Sequence, residues 1–273
     1  MPTFTGKTFA SFYKNLLGLN QSSNTGVDAT TRVVHDGLGQ STSVSLSDDV
    51  LSVQPVTDNT TGTMLVKNQG GSNILAVDTT NSKILGGASQ TALNTQYAYF
   101  GVSNADTYWA QALADTHYAV NFSNMNYVQA AVVMAMGSST DSSFNDTNPA
   151  STLTITNTTN MINAYWYIMD DITIDAVKWF HGADAATGDS TAAHLMSYTV
   201  DIDNGSTSGD LSSGTVVADG ATITNAGYEQ AYYQAMTIQS ADVDAGKVIL
   251  FTFASDTVNS DYSINAIVKY HIR

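Results

Sequence analysis

Residues 36–87 read DGLGQSTSVSLSDDVLSVQPVTDNTTGTMLVKNQGGSNILAVDTTNSKILGG, and apolar residues occur in them only as short bursts. The bursts are Val44-Ser45-Leu46, Leu51-Ser52-Val53, Met64-Leu65-Val66, Ile74-Leu75-Ala76-Val77 and Lys83-Ile84-Leu85. Turn chemistry separates them: Gly37 and Gly39, Ser47-Asp48-Asp49, Thr57-Asp58-Asn59, Asn68-Gln69-Gly70-Gly71, Asp78 to Ser82, and Gly86-Gly87. Strands this short, with one or two apolar residues per face, predict a meander of small hairpins. A segment of this size folding alone buries only roughly 60% of its surface and is marginal. It has no cysteine and no cluster of metal ligands to staple it. The expected remedy is a homotrimer in which copies wind around a shared axis and pool their apolar faces in a short intertwined β-stalk. Val44, Leu46, Leu51, Val53, Leu65, Leu75, Val77 and Ile84 are the candidate oligomer-interface residues.

Outward from this stretch the chain divides into an N-terminal arm (1–35), the stalk (36–90) and a larger head (91–273). Residues 5–19 of the arm predict an amphipathic helix, because Phe9, Phe12, Tyr13, Leu16 and Leu17 follow the i, i+3, i+4, i+7, i+8 spacing and Gly18 is a natural stop. Such a helix is unstable alone. With the polar linker Asn20 to Thr31 behind it, it is expected to lay its aromatic face into a neighbouring protein as an anchor.

In the head the strands lengthen and become aromatic. Tyr118, Val120 and Phe122 alternate, as do Val128, Ala130, Val132, Met134 and Met136, and Leu153 and Ile155 alternate with threonines. Met161 to Met169 is apolar on both parities. Ile172 and Ile174 take one parity and Val177 and Trp179 the other, which predicts a β-bulge near Ala176. Met196, Tyr198, Val200 and Ile202 alternate, as do Tyr232, Met236 and Ile238. Val248 to Phe253 is continuously apolar, as a strand buried on both faces requires. In the last strand Ile264, Ala266, Val268, Tyr270 and Ile272 face one way, with Asn265, Lys269, His271 and Arg273 opposite. About eight or nine such strands joined by turns read as an all-β protein with a jelly-roll β-sandwich head.

Composition sets limits on function. Among 273 residues, 24 are acidic and 9 basic, a net charge of −15, which argues against nucleic acid and anionic membrane surfaces as partners. Glu229 is the only glutamate; the other acids are aspartates, which favour turns and caps. The opening Met1-Pro2-Thr3-Phe4-Thr5-Gly6-Lys7 lacks the apolar run of a secretory signal, and no stretch is long enough to span a bilayer, so a soluble chain is expected.

Reaction chemistry finds little support. His35, His117, His181, His194 and His271 are scattered; His194 lies on the apolar parity of its strand, and His181 follows Trp179-Phe180 where it would cap a strand. A cupin-like metal site needs histidines and a carboxylate at short spacing, which is absent. There is no cysteine and no G-x-S-x-G elbow. The pairs Asp48-Asp49, Asp170-Asp171 and Asp201-x-Asp203 read as turn and strand-end aspartates, since adjacent strand residues cannot face each other across a cleft as glycoside hydrolysis requires. Asp201 to Gly205 opens like a calcium loop, but Ser212 stands where the closing glutamate belongs. Tyr165, Trp166, Tyr167, Tyr232 and Tyr233 either line a sugar-binding surface or fill the core and interface. No cofactor or metal and no enzymatic activity are expected.

Several stretches resemble structural proteins of marine tailed bacteriophages: Ser11 to Leu17 (SFYKNLL), Gln21 to Arg32 (QSSNTGVDATTR), Leu46 to Pro55, Ile74 to Lys83, Trp179 to Asp184 (WFHGAD), Ser240 to Lys247 and Ile267 to Arg273 (IVKYHIR). The resemblance covers most of the chain. It implies a non-enzymatic, trimeric virion component on the particle surface, either a capsid head fibre or decoration (cement) protein. The arm would bind the major capsid protein or another virion protein. The alternatives are a tail fibre or receptor-binding protein gripping a host surface glycan and, further off, a trimeric glycan depolymerase. The resemblance carries over no catalytic residue.

Overall fold

A computed structural model describes residues 13, 16–21, 26–87, 91–102, 114, 117–123, 162–184, 187–200, 211–227, 229–257 and 261–273. The protein is all-β and divides into two units, residues 1–94 and 95–273. The boundary falls close to the end of the expected stalk.

The first unit holds two small antiparallel sheets. One contains β1 (Gly18–Leu19), β2 (Arg32–His35), β3 (Ser41–Leu46) and β4 (Leu51–Val53); the other contains β5 (Met64–Lys67), β6 (Asn73–Asp78), β7 (Lys83–Gly86) and β8 (Thr91–Ala92). Both are simple meanders, each strand pairing with the next. The turns form where Asn and Asp side chains can take backbone N–H groups. Asp36 Oδ1 accepts from Leu38 N (2.8 Å) and Gln40 N (2.9 Å). Asn68 Oδ1 accepts from Ser72 N (2.9 Å) beside Gly71, whose φ of 87° suits a residue without a Cβ. Asp78 takes Thr80 N and Asn81 N, and its other oxygen takes Asn81 Nδ2.

The helical arm is a correction. Residues 1–12, 14 and 15 lie outside the described residues, Tyr13 is in a 3₁₀ turn whose carbonyl accepts from Leu16 N (3.2 Å), and the strand begins at Gly18. Gly18 and Leu19 then pair with His35 and Val34. Glycine and the polar residues behind it lose little by joining a sheet edge, and the β2 partner overrides the local helical spacing. Gly18–Leu19 and Arg32–His35 therefore belong to the first sheet.

The second unit is built from β9 (Thr95–Val102), β10 (Tyr118–Val120), β11 (Trp166–Tyr167), β12 (Ile172–Asp184), β13 (Ser190–Val200), β14 (Leu211–Asp219), β15 (Ile223–Thr224), β16 (Gln230–Ala235), β17 (Thr237–Ile238), β18 (Asp242–Val243), β19 (Lys247–Ser255) and β20 (Asp261–Ile272). One sheet runs β10-β19-β13-β14-β17, with β11 beside β19 and β15 beside β13; the other runs β16-β12-β20-β9, with β18 beside β12. The chain passes repeatedly between the two sheets (β12 to β13, β14 to β16, β19 to β20), and the inward apolar faces of the sheets cover each other.

The core lies between them. Phe100, Trp179, Phe251, Phe253 and Tyr262 are buried there with Ile174, Val177, Leu195, Ile264 and Val268. Burying one large apolar side chain contributes about 1.5–3 kcal/mol, so these residues dominate the unit's stability. Alternate residues of β19 enter this core (Ile249, Phe251, Phe253) and a second cluster on the opposite face (Val248 and Leu250 with Met196, Tyr198 and Leu211). This is the physical content of the continuous Val248–Phe253 run. The β12–β20 register shifts between Ile174 and Ala176, the bulge expected from the parity change.

Two head expectations need revision. Met161 to Met169 is not one strand: a 3₁₀ turn at Ile162–Ala164 precedes a two-residue β11. His181 lies inside the 13-residue β12 and is buried there. His271, on the parity opposite Tyr270 and Ile272, is buried too, with its Nδ1 3.1 Å from Asp175 Oδ2. The strands expected over 128–136 and around 153–155, and the loop at 201–210, lie outside the described residues.

Candidate functional site

The first unit presents apolar side chains without enclosing them. Pairing places Val44 opposite Val53 and Leu46 opposite Leu51 on one face of the first sheet. In the second sheet Met64 faces Val77, Val66 faces Leu75, and Val77 faces Ile84, so these five share a face. Leu65 pairs with Ala76 and points to the opposite face, away from the Leu75, Val77 and Ile84 with which the sequence grouped it. Leu51 is 67% exposed, Met64, Leu65, Val66 and Ile84 are exposed, and Val44, Leu46, Val53, Leu75 and Val77 are only half-buried. Among the described residues Ala76 is the single buried hydrophobic of this unit, and neither apolar cluster of the protein includes any of its residues. Of the anchoring set, Phe9 and Phe12 lie outside the described residues, Tyr13 and Leu17 are exposed, and Leu16 is half-buried. Tyr13 approaches Gly37 so closely that a Cβ there would overlap the Tyr13 carbonyl.

The histidines that the sequence scatters are partly brought together. The rings of His117 and His194 lie 4.4 Å apart. His117 Nδ1 is 3.0 Å from Thr252 Oγ1, which in turn donates to the His194 carbonyl (3.4 Å). His194 Nδ1 is 2.8 Å from Asp219 Oδ1, though off the hydrogen-bond direction. Burial, with the neighbouring His194 second, pushes the pKa of His117 well down, so it is neutral near pH 7. Both rings and Thr252 are closed to solvent, and a substrate has no access to them among the described residues. His181 sits in an aromatic enclosure of Trp179, Tyr232, Phe253 and Tyr262, with ring centroids 4.9 to 6.0 Å away, and burial lowers its pKa to about 4. These histidines are polar parts of a packed interior.

The carboxylates stay apart. Asp48 and Asp49 are exposed in a turn. Asp171 accepts from Ala245 N (2.8 Å) and fixes a turn. No group of three or more His, Asp or Glu among the described residues is placed to hold a metal ion.

Asp170 instead borders a cleft of about 300 Å³ lined by residues of both sheets of the second unit. Trp166 and Tyr167 reach it from one sheet, Gln96 and Tyr270 from the other, and Met169 and Asp170 from the loop between. Of the aromatic residues singled out in the sequence, only Trp166 and Tyr167 line it; Tyr232 and Tyr233 are on β16, at the opposite edge of the second sheet from Gln96 on β9. Gln96 and Tyr270 carried no signal of their own in the sequence, where Tyr270 reads simply as a core position.

No protein-family model matches the sequence, and no curated protein matches it. Among solved structures, the chain is similar to an aminopeptidase from a marine sediment archaeon, Thaumarchaeota archaeon, at 10% identity and a TM-score of 0.26, over 73% of this chain. The matched part spans 40% of that protein's length, and a likeness this distant carries no argument about fold or activity.

Proposed function

We propose that this chain is a non-enzymatic structural protein of a tailed-phage virion, displayed on the particle as a homotrimer. The observation that carries the reading is the first unit: two meanders with apolar faces and, among its described residues, one buried hydrophobic, Ala76. An amphipathic sheet has to bury its apolar face against another layer. Copies of the same unit, intertwined as a β-stalk, supply that layer.

The head is a jelly roll. Its two sheets interleave in the order β16-β12-β20-β9 against β14-β13-β19-β10, the double Greek-key order of that architecture. The architecture occurs in viral capsid and lectin domains alike, so fold alone does not choose the function. The resemblance of the stretches around Phe12, Asp48, Asp78 and His181 to phage structural proteins supplies the virion context. The compact chain suits a capsid head fibre or decoration protein whose N-terminal residues, Tyr13 and Leu17 among them, grip a capsid protein. An aromatic cleft in the head favours the alternative position, a tail fibre that holds a host surface glycan.

Sedimentation equilibrium on the full chain tests the oligomer, with a trimer mass expected; a folded monomer at micromolar concentration would sink the reading. Immunogold microscopy of intact particles locates the protein, and its absence from purified virions overturns the virion assignment. Deleting residues 1–17, which leaves β1 and β2 in place, is expected to abolish incorporation into particles. Incubation with host polysaccharide should release no product.

A further inference from the structure

We infer that the cleft of the second unit binds a neutral sugar ring. This does not rest on the virion reading, because the cleft belongs wholly to the second unit. A sugar presents a C–H face that stacks on aromatic carbon and a rim of hydroxyls that each donate and accept. A site for it therefore needs an aromatic wall held rigid and a few polar groups of both kinds, with little else.

The aromatic wall is built in advance. Trp166, only 8% exposed, forms the back of the cleft and meets Tyr270 with ring centroids 4.9 Å apart at 59°. Behind it Phe122 stacks on the Trp166 ring (5.9 Å, 5°) and Phe100 meets it edge-on at 6.4 Å. Locking these rings before binding removes ordering costs from the binding step. Tyr167 stands at the rim, 49% exposed, with Met169 82% exposed beside it.

The polar groups are complementary. Tyr270 Oη donates to Gln96 Oε1 at 2.9 Å, which fixes the amide and leaves its NH₂ group as the donor available to a ligand. Burial pushes the Tyr270 phenol's pKa up, so it keeps the proton that makes this bond. Asp170, exposed at the edge, is an acceptor that can take two neighbouring hydroxyls. Among the described residues no lysine or arginine lines the cleft. With one carboxylate and no cation, it discriminates against uronic and sialic acids, and the ligand class is a neutral hexose or N-acetylhexosamine. A volume of about 300 Å³ admits a single ring rather than a long chain, at the lower end for small-molecule sites.

The test is ligand-observed saturation-transfer NMR and isothermal titration of the full chain with glucose, galactose, mannose, N-acetylglucosamine and glucuronate, plus 1,6-hexanediol as an apolar probe. At least one neutral sugar should bind, perturb the Trp166 indole signal and compete with no other site. Tyr167→Ala, chosen because this exposed ring is not needed for the core, should weaken it about tenfold, as should Asp170→Asn, each consistent with losing one buried contact. Both variants should retain the wild-type melting temperature. Binding of glucuronate alone, of hexanediol alone, of no compound, or of a sugar with unchanged affinity in both variants would overturn the assignment. None of these results depends on oligomeric state, so failure here is distinct from failure of the trimer reading.

Discussion

The two units are made from the same materials and solve the burial problem differently. Both are antiparallel and both turn on Gly, Asp, Asn and Ser. In the first unit the longest strands, β3 and β6, have six residues, and each sheet is a meander in which neighbours in sequence are neighbours in space. In the second unit β12 has 13 residues and β20 has 12, and the chain crosses between the sheets several times, at β12 to β13, β14 to β16 and β19 to β20. Crossing brings apolar faces from distant parts of the chain together, and Trp179, Phe251 and Tyr262 vanish from solvent. A local meander cannot do this. Its faces stay open unless another chain or layer covers them.

The largest test of that contrast is Phe251→Ala. Removing a fully buried ring from the inter-sheet core should cost about 3–5 kcal/mol and remove the second unit's calorimetric transition. The first unit's transition should stay where it is. One cooperative transition lost as a whole would show that the units are not thermodynamically separate.

Acid should separate the units next. His181 has its folded-state pKa lowered to about 4 by burial, against about 6.5 unfolded, so the unfolded state takes the proton first. The second unit's stability is then fully present above pH 6.5 and falls as pH drops towards 4, by about 3 kcal/mol in all. His117 pulls in the same direction. In the first unit the relevant groups are carboxylates. Hydrogen bonds from Arg32 and the Thr30 N–H hold the Asp28 pKa down to about 2, and Asp78 is lowered because its bonds from Asn81 and Thr80 outweigh its burial. Their contribution persists above the ordinary carboxylate range and is lost only below it. Calorimetry in steps from pH 7 to pH 3 should move the second unit's transition first.

Leu75→Asp sharpens the comparison from the other side. If Leu75 meets a second copy, an unpaired carboxylate there should cost about 1–3 kcal/mol per subunit and shift sedimentation from trimer towards monomer. A neutral result would place the interface on the Leu65–Ala76 face instead. The smallest effect is expected outside both cores. Lys178 Nζ lies 5.6 Å from the centre of the exposed Tyr233 ring, and Lys178→Ala should lower the second unit's stability by only about 0.5 kcal/mol. A loss as large as that of a core residue would mean that this outer face is covered in the assembly.

By itself the sequence determined the all-β class, the hairpin turns, the bulge beside Ala176 and the two-sided burial of Val248 to Phe253. Each is a local property: a side-chain period of two, a change of parity, or an Asx residue next to a glycine. It could not assign what lies opposite a face. Leu65 and Leu75 look equivalent as apolar residues of short strands, and only the pairing of Met64 with Val77 turns them to opposite sides. Parity puts His271 opposite the apolar residues of its strand, and only the structure shows it buried beside Asp175. His117 and His194 meet only because β10 and β13 both flank β19. The cleft exists because Gln96, Trp166 and Tyr270 arrive from different sheets, a consequence of strand order that no residue spacing encodes.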